Sequence, residues 1–408
     1  MAVNLKIPDE TKIFPVKGIE IGIAKAGIKE KNRRDLTIFR FSKNTNVAGI
    51  FTKNHFRAPP VKICEKHLAS GKNISGLVIN TGIANAGTGK EGLKKAIKTC
   101  NNLGKILNVP SNQILPFSTG IVLEPLPIER LLNGLPVAVN NLNKNNWLNA
   151  AHAIMTTDTL PKITSNKTYI SGKEITFTGI SKGSGMISPN MATMLSFIGT
   201  DVKISKNILQ KLTIDIANKS FNRITVDGDT STNDSFILIA TGQSGINIES
   251  QDSENYIHIR DNLINIATDL AKKIVRDGEG ATKFITIIVE KANSVRDALK
   301  IAYSIAKSPL VKTAFYSSDL NLGRVLVAIG FANVSNLNIH TINIWLNDIK
   351  VITNGNRDDF YQKDILQKIM MGSEINLRIS LDMGNICEKI YTCDMSHDYI
   401  SINSAYRS

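Results

Sequence analysis

The chain has 408 residues, of which 42% are hydrophobic and 21% are charged. This length and composition exclude a small disulfide-stapled scaffold, a collagen-like repeat and a disordered chain. The net charge is +14, but the basic residues are scattered and only 6% of residues are aromatic, so no surface for binding nucleic acid is predicted.

The cysteines and the N-terminal residues narrow the class of protein further. The four cysteines, Cys64, Cys100, Cys387 and Cys393, form no Cys-x-x-Cys pair and no cluster with histidine, so the sequence predicts neither a zinc site nor a redox pair. Residues 1–15 contain charged residues where a secretory signal requires an unbroken apolar stretch, and no run of about 18 apolar residues occurs. We expect a cytoplasmic protein that makes no membrane contact.

Strand and helix patterns alternate along the chain. Apolar runs at 76–80, 235–240 and 284–289 predict buried strands. Apolar residues at helical spacing predict one helix around 208–216 and a longer one around 259–274 that ends near Gly278. The Asn-rich stretch 133–147 carries no long apolar run and is predicted to be a linker or surface loop. This interleaving favours a mixed α/β fold.

Two β-hairpins are predicted towards the C-terminus. The first turns at Asn347 and Asp348. In the second, apolar and polar residues alternate over 375–381, and a Met-Gly-Asn turn at 383–385 leads into the strand pattern of 386–393. The alternation predicts that these strands bury one face.

The stretch 182–201 is the most unusual in the sequence. Small and flexible residues, Lys-Gly-Ser-Gly-Met-Ile at 182–187 and Asn-Met-Ala-Thr-Met-Leu at 190–195, lead directly into an apolar strand. The pattern alone is equally that of a glycine-rich turn before a buried strand. It is not a nucleotide-binding loop, because Ser188 stands where a dinucleotide fingerprint requires its third glycine.

The runs 182–187 and 190–195 resemble the self-cleavage site of the ornithine acetyltransferase family, the bifunctional glutamate N-acetyltransferases of arginine biosynthesis. The similarity extends from Phe-Pro-Val-Lys-Gly at 14–18 to Ile-Asn-Ser-Ala-Tyr-Arg-Ser at 402–408, which is nearly the whole chain. The resemblance implies that the precursor breaks its own Ala192–Thr193 bond. The implied products are an alpha chain, 1–192, and a beta chain, 193–408, whose N-terminal nucleophile is Thr193.

The implied chemistry agrees with these residue types. An N-terminal α-amine, with an ordinary pKa of about 8, can take the proton of a threonine hydroxyl, so no histidine is required. Before cleavage the same hydroxyl can attack the Ala192 carbonyl in an N-to-O acyl shift. Afterwards Thr193 would carry an acetyl group from N2-acetylornithine to glutamate, with acetyl-CoA open as a second donor. No metal and no cofactor are implied.

The resemblance also implies the remaining site residues. Thr119 and Gly120, in a Ser-Thr-Gly run, would form the oxyanion hole through a hydroxyl and a backbone N–H. The matched substrate-binding positions are Thr156, Lys182, Thr193, Glu279, Asn403 and Ser408. Lys182 would pair with the α-carboxylate shared by glutamate and ornithine, and Glu279 with the ornithine ammonium. Each residue alone has an ordinary structural explanation, but together, in this order, they predict one active site.

Several positions depart from the family's pattern. Leu123 replaces a glycine, while Ile83 and Gly87 replace an asparagine and a cysteine; Leu320 and Leu322 replace a proline and a tryptophan. These changes lie outside the assigned site positions and affect the expected packing or substrate range. The polar run 221–234 matches the family closely, although its three aspartates alone would suggest only a loop with a weak metal hypothesis.

The resemblance implies a layered αββα-type sandwich of mixed α+β class, like other N-terminal-nucleophile proteins, assembled as a heterotetramer of two alpha and two beta chains. Two other functions stay open. One is an N-terminal-nucleophile amidohydrolase or aminopeptidase, in which water takes the acyl group. The other is an inactive basic binding homologue, which would stay uncut and bind polyanions in a salt-sensitive way.

Overall fold

The computed structural model describes residues 2–188 and 194–405. Strands and helices alternate, as the sequence predicts. The strands are β1 (Ile19–Ala24), β2 (Leu36–Phe41), β3 (Asn46–Phe51), β4 (Gly76–Ile83), β5 (Ile114–Ile121), β6 (Lys162–Ile170), β7 (Lys173–Lys182), β8 (Leu195–Thr200), β9 (Lys203–Ile204), β10 (Ser235–Ala240), β11 (Asn247–Ile248), β12 (Phe284–Ala292), β13 (Asn343–Leu346), β14 (Ile349–Thr353), β15 (Asn356–Arg357), β16 (Glu374–Ser380) and β17 (Ile386–Cys393). The α-helices are α1 (Pro59–Ala69), α2 (Gly89–Leu107), α3 (Ile128–Asn140), α4 (Trp147–Ala153), α5 (Lys206–Lys219), α6 (Glu254–Arg276), α7 (Val295–Lys307), α8 (Pro309–Tyr316), α9 (Gly323–Gly330), α10 (Lys363–Met371) and α11 (His397–Ser404).

The chain divides into two compact units. The large unit comprises Ile7–Asn222 and Asp229–Ile274, and the small unit comprises Met1–Lys6, Arg223–Gly228 and Val275–Ser408. Each unit therefore contains chain from both sides of the bond at which the alpha and beta chains are predicted to separate. The two units are regions of the chain that fold compactly. The predicted alpha and beta chains are instead the two continuous polypeptides that cleavage would leave.

Two sheets face each other in the large unit. One has the order β1-β2-β4-β5 and the other β3-β10-β8-β7-β6. Their facing side chains form a single core, in which Phe117 of β5 packs edge-on against Phe197 of β8 with ring centroids 5.1 Å apart. Burial of this shared apolar surface holds the sheets together.

Helices cover the outer faces of both sheets in the large unit. Buried residues of α2 and α3, among them Leu103 and Leu135, share a core with the four-stranded sheet. On the five-stranded sheet, α5 packs against β3 and β10. The helix α6 lies beside β6, where Lys273 Nζ donates to Ile163 O at 2.6 Å. These layers confirm the expected αββα sandwich.

The two predicted helices of this region are confirmed as α5 and α6. Ile259, Leu263 and Leu270 of α6 are fully buried, because their spacing places them on one face of the helix. The strands predicted at 76–80, 235–240 and 284–289 are confirmed as β4, β10 and β12.

The loop predicted at 133–147 is wrong. The helix α3 extends to Asn140 and α4 begins at Trp147, so the connection between these helices is only 141–146. Leu131, Leu135 and Ala138 are buried at spacings of four and three residues. Packing of this apolar stripe overrides the low helix propensity of the surrounding asparagines.

The small unit contains one sheet of order β15-β14-β13-β16-β12-β17. The hairpin predicted at Asn347 and Asp348 is confirmed, since β13 and β14 are antiparallel and Asn347 adopts a φ of 50°. The second predicted hairpin is wrong because β12 lies between β16 and β17. The backbone N–H groups of Met383 and Gly384 donate to Lys291 O at 2.8 and 3.0 Å, so the connection between β16 and β17 crosses the end of β12.

None of the helices within the described residues has the length and apolar character needed to cross a bilayer.

Candidate active site

The predicted oxyanion residues lie near the end of β5. Gly120 has a φ of 131°, and a Cβ atom there would lie 2.1 Å from the carbonyl carbon of Gly82 on β4. Any side chain would therefore push the two strands apart. Thr119 precedes it and is 7% exposed. Position 120 therefore requires glycine because β4 is too close for any side chain. The Ser-Thr-Gly run alone does not reveal this contact.

A network of uncharged hydrogen bonds fixes this end of β5. Ser118 Oγ donates to Asn80 Oδ1 at 2.6 Å, and Asn80 Nδ2 donates to Ile83 O at 2.8 Å. Asn233 Nδ2 donates to Ser118 O at 2.9 Å and to Ala84 O at 2.7 Å. Asn233 thus connects the chain after β4 with the residue before Thr119. Sequence reasoning missed this role, and the close family match of the run 221–234 was the signal that could have found it.

Lys182 is the last residue of β7 and is 5% exposed. It pairs with Leu195, the first residue of β8, in the antiparallel ladder between these strands. The predicted cleavage bond therefore lies in the connection between two neighbouring strands. Ala192 and Thr193 themselves lie outside the described residues, and so does Ser408.

Asp158 joins two of the predicted substrate positions, although sequence reasoning did not select it. Its carboxylate accepts hydrogen bonds from Thr156 N at 2.9 Å and from Gly183 N, the residue after Lys182, at 2.7 Å. It also accepts from Lys162 Nζ at 2.5 Å, where both side chains are almost completely buried. Thr156 and the end of β7 are therefore held at one carboxylate.

Charge balance determines the ionisation of Asp158. Burial disfavours the carboxylate, but the ammonium groups of Lys162 and Lys182 and the hydrogen bond from Gly183 outweigh this effect and hold the pKa of Asp158 well below its ordinary value. The carboxylate therefore stays ionised at neutral pH and provides an anionic partner for both lysines.

The small unit contains the remaining described site positions, Glu279 and Asn403. Asn403 Nδ2 donates to Glu279 Oε2 at 2.9 Å, which joins α11 to the turn after α6. This turn is tight, because Gly280 has a φ of 68° and a Cβ atom there would lie 2.4 Å from Tyr399 N. Ser396 Oγ also donates to Gly280 O at 2.6 Å. The C-terminal helix thus positions Glu279.

Two of the departures from the family's pattern are neighbours in the structure. Leu123 has a φ of 71°, and its Cδ2 lies 2.6 Å from the position of a Cβ atom at Gly87. A side chain at position 87 would therefore displace the tip of the Leu123 side chain. Ile83, Leu320 and Leu322 contact hydrophobic cores of their own units.

Residues 2–188 and 194–405 contain no group of three or more His, Cys, Asp or Glu side chains that could hold a metal ion. The four cysteines are free, and Cys64, Cys100 and Cys393 are buried. Burial raises the pKa of Cys100 to about 12 and that of Cys393 to about 11. These thiols are therefore poor nucleophiles at neutral pH.

Comparison with known proteins identifies the family of the chain. Residues 20–408 match the ArgJ family. The chain is 47% identical to the arginine biosynthesis bifunctional protein ArgJ of Colwellia psychrerythraea (strain 34H), and the match covers 100% of both chains.

Two solved structures are also similar. A crystal structure of ArgJ from Bacillus halodurans is 37% identical with a TM-score of 0.50, and the match covers 52% of this chain and 100% of that chain. Ornithine acetyltransferase from Mycobacterium tuberculosis, crystallised with ornithine, is 27% identical over 43% of this chain and 92% of that chain, with a TM-score of 0.38. On its family match and its full-length identity with a relative, the chain belongs to the ArgJ family.

Proposed function

We propose how this acetyltransferase of arginine biosynthesis works: Thr193, freed by self-cleavage after Ala192, carries an acetyl group from N2-acetylornithine to glutamate. The observation that carries the proposal is the position of β8. This strand begins two residues after Thr193 and lies between β7, which ends in Lys182, and β10, which follows Asn233. Asn233 in turn donates to the carbonyl of Ser118, next to Thr119.

In the self-cleavage step, Oγ of Thr193 attacks the carbonyl carbon of Ala192. The C–O bond forms, the C–N bond breaks, and the hydroxyl proton passes to the departing nitrogen. Water then hydrolyses the ester and releases the alpha chain. The free α-amine of Thr193 is now a base beside its own hydroxyl.

In the transfer step, the α-amine takes the proton of Oγ while the oxygen attacks the acetyl carbonyl of N2-acetylornithine. The Thr119 hydroxyl and the Gly120 N–H stabilise the resulting oxyanion. Ornithine leaves, and the amine of glutamate accepts the acetyl group by the reverse sequence. Lys182 pairs with the α-carboxylate common to both substrates, and Thr156, Glu279, Asn403 and Ser408 complete the substrate site.

The comparisons support parts of this proposal. The Mycobacterium tuberculosis relative was crystallised with ornithine, and we propose the same class of small amino-acid substrate here. We further propose that two alpha and two beta chains assemble as a heterotetramer in the cytoplasm.

The self-cleavage step is tested by intact-mass spectrometry of the wild type beside Thr193→Ala. We expect two wild-type fragments that end at Ala192 and begin at Thr193, while the variant keeps the full mass of 44.7 kDa. A folded wild type that stays whole would remove the base from the mechanism and favour the inactive binding homologue.

The transfer step is tested with Thr119→Val, which keeps the shape of the side chain but removes the oxyanion donor. We expect kcat to fall by about 10²- to 10³-fold with the cleaved fold intact. Acetyl transfer from N2-acetylornithine must depend on glutamate. Replacing N2-acetylornithine by acetyl-CoA, with glutamate still present as the acceptor, tests the second donor. Acyl release that glutamate does not divert would instead identify an amidohydrolase.

A further inference from the structure

The loop between β1 and β2, residues 25–35, contacts the chain beside a predicted substrate position. The guanidinium group of Arg33 donates from Nη2 to Met155 O at 2.6 Å. The Arg33 side chain is 29% exposed, so water competes only in part for this charge-assisted hydrogen bond. Met155 precedes Thr156. The bond therefore holds the carbonyl of the peptide group that joins Met155 to Thr156.

Asp158 holds the same peptide group from its other side. Thr156 N donates to Asp158 Oδ2 at 2.9 Å. The carbonyl of this peptide group thus binds a guanidinium, and its N–H binds a carboxylate, which is the favourable orientation of a peptide dipole between opposite charges. Because the peptide group is planar, hydrogen bonds at both ends fix its orientation and with it the Cα atom of Thr156.

The hydroxyl of Thr156 is left available by the fold. Thr156 is partly exposed, and its N–H rather than its hydroxyl binds Asp158. Among residues 2–188 and 194–405, the Thr156 hydroxyl forms no hydrogen bond. The neighbouring Thr157 differs, since its Oγ1 shares a hydrogen bond with Ser184 Oγ at 2.6 Å. An available hydroxyl on a fixed backbone is suited to binding a polar ligand.

Asp35 fixes the loop that carries Arg33. Asp35 is 1% exposed, and its carboxyl oxygens accept hydrogen bonds from Ala26 N at 2.7 Å and from Ile28 N at 2.5 Å. Its backbone carbonyl accepts from Thr81 N, on β4, at 2.9 Å. Both ends of the loop are therefore tied to one buried residue, which limits the positions that Arg33 can adopt.

We propose, on the basis of the proposed function, that Arg33 is a positioning residue for substrate binding. It fixes the peptide group before Thr156, so that the Thr156 hydroxyl is held ready to bind the amino-acid substrate. Arg33 acts through Thr156, and the loop between β1 and β2 thereby becomes part of the substrate site. This role differs from general attraction of the substrate carboxylate, which any basic residue of the loop would supply.

Arg33→Met tests the proposal, because it keeps the length of the side chain but removes its donors. We expect the Kd for ornithine, measured by isothermal titration calorimetry, and the KM for N2-acetylornithine to rise about two- to tenfold, the range of one uncharged hydrogen bond. The kcat should change less than about twofold. Arg34→Met is the matched control: it removes the same charge from the same loop, but Arg34 Nη1 donates to the Asn149 side chain. The control should leave the Kd for ornithine unchanged.

A double-mutant cycle tests whether Arg33 acts through Thr156. Thr156→Val removes the hydroxyl and keeps the shape of the side chain. If Arg33 positions this hydroxyl, Arg33→Met should weaken ornithine binding no further in the Thr156→Val background. Two independent effects, whose fold-changes multiply, would overturn the proposal.

The outcomes separate this inference from the proposed function. Unchanged ornithine binding in Arg33→Met, or an equal loss in Arg33→Met and Arg34→Met, overturns the inference even if the wild type is cut and active. Calorimetry needs no turnover, so a wild type that stays whole overturns the proposed mechanism while ornithine binding still tests Arg33. A wild type that is neither cut nor able to bind ornithine overturns both.

A charge-preserving pair of variants serves if Arg33→Met does not fold. Arg33→Lys and Arg34→Lys both keep the positive charge of the loop, but lysine lacks the planar fork of arginine. Only Arg33→Lys should then weaken ornithine binding. Equal binding in the two lysine variants overturns the inference.

Discussion

The end of β5 and the end of β7 are held in place by different kinds of interaction. At β5, Asn80, Ser118 and Asn233 form hydrogen bonds between uncharged groups. At β7, the Asp158 carboxylate binds the buried Lys162 ammonium and the Gly183 N–H. The first arrangement fixes the backbone near the predicted oxyanion donors. The second keeps two lysines, Lys162 and Lys182, buried near the end of β7.

The difference has an energetic meaning. Uncharged groups lose little on burial once each is paired, so the β5 network can be rigid without depending on pH. A buried ion pair carries a large desolvation cost that each partner offsets for the other, so the loss of one member is severe. The β5 end should therefore tolerate acid, whereas the β7 end should be sensitive to both charge and pH.

Asp158→Asn should have the largest effect on stability. The change removes the carboxylate that pairs with the ammonium of the fully buried Lys162, and we expect a loss of about 3–5 kcal/mol in the free energy of unfolding. Urea denaturation in the uncut Thr193→Ala background measures it on one continuous chain. Asp215→Asn breaks an exposed pair, 3.5 Å from Lys219, and should cost below about 0.5 kcal/mol. Similar losses for the two variants would contradict the comparison.

The Asp158 effect should also depend on pH with a defined sign. The folded-state pKa of Asp158 is lowered, so its contribution is fully present above the ordinary unfolded value of about 3.9. It is lost as pH falls through the lowered folded-state pKa. The difference between wild type and Asp158→Asn should therefore be constant from about pH 5 to 8 and shrink below about pH 4. A difference that instead grows in acid would show that another group dominates.

Asn233→Ala should have an intermediate effect. It leaves the buried carbonyls of Ser118 and Ala84 without this donor, and we expect a loss of about 1–3 kcal/mol that does not vary with pH. The loosened end of β5 should also lower kcat more than it changes KM, because the oxyanion donors act in the transition state. Asn102→Ala, which removes an exposed bond to Lys98 O, is the matched control, and it should change neither quantity measurably.

Gly87→Ala should have the smallest effect beyond backbone strain. Gly172 has a φ of 73° and nothing within 4 Å of an added Cβ, so Gly172→Ala measures the cost of backbone strain alone. At Gly87 an added Cβ also contacts the Leu123 side chain. Gly87→Ala should therefore cost about 0.5–1 kcal/mol more than Gly172→Ala. Because the contact is with a side-chain tip, Leu123→Ala should remove this excess. An excess that persists without Leu123 would show that the two departures are independent.

Local patterns in the sequence predicted the elements better than their pairing. The apolar stripe of α6 was visible because its residues are close in sequence. The insertion of β12 between β16 and β17 depends on contacts far apart in sequence, which turn chemistry at 383–385 does not encode. At the candidate site, the resemblance selected Thr119 and Lys182, which the structure places near the ends of β5 and β7. Asp158 and Asn233 were missed because the hydrogen bonds of buried polar residues depend on neighbours that are distant in sequence.

The position of β8 inside its sheet has a consequence for refolding. Both strands that follow residue 193, β8 and β10, lie between β3 and β7, which precede it. A chain cut after residue 192 would keep this sheet intact on dilution, because separation requires breaking hydrogen bonds on both sides of the pair. Once denatured, however, it would have to reassemble from two molecules, so recovery would depend on concentration where the uncut precursor's would not. After cleavage, unfolding would therefore no longer be readily reversible. The lifetime of the folded protein would be set by its rate of unfolding.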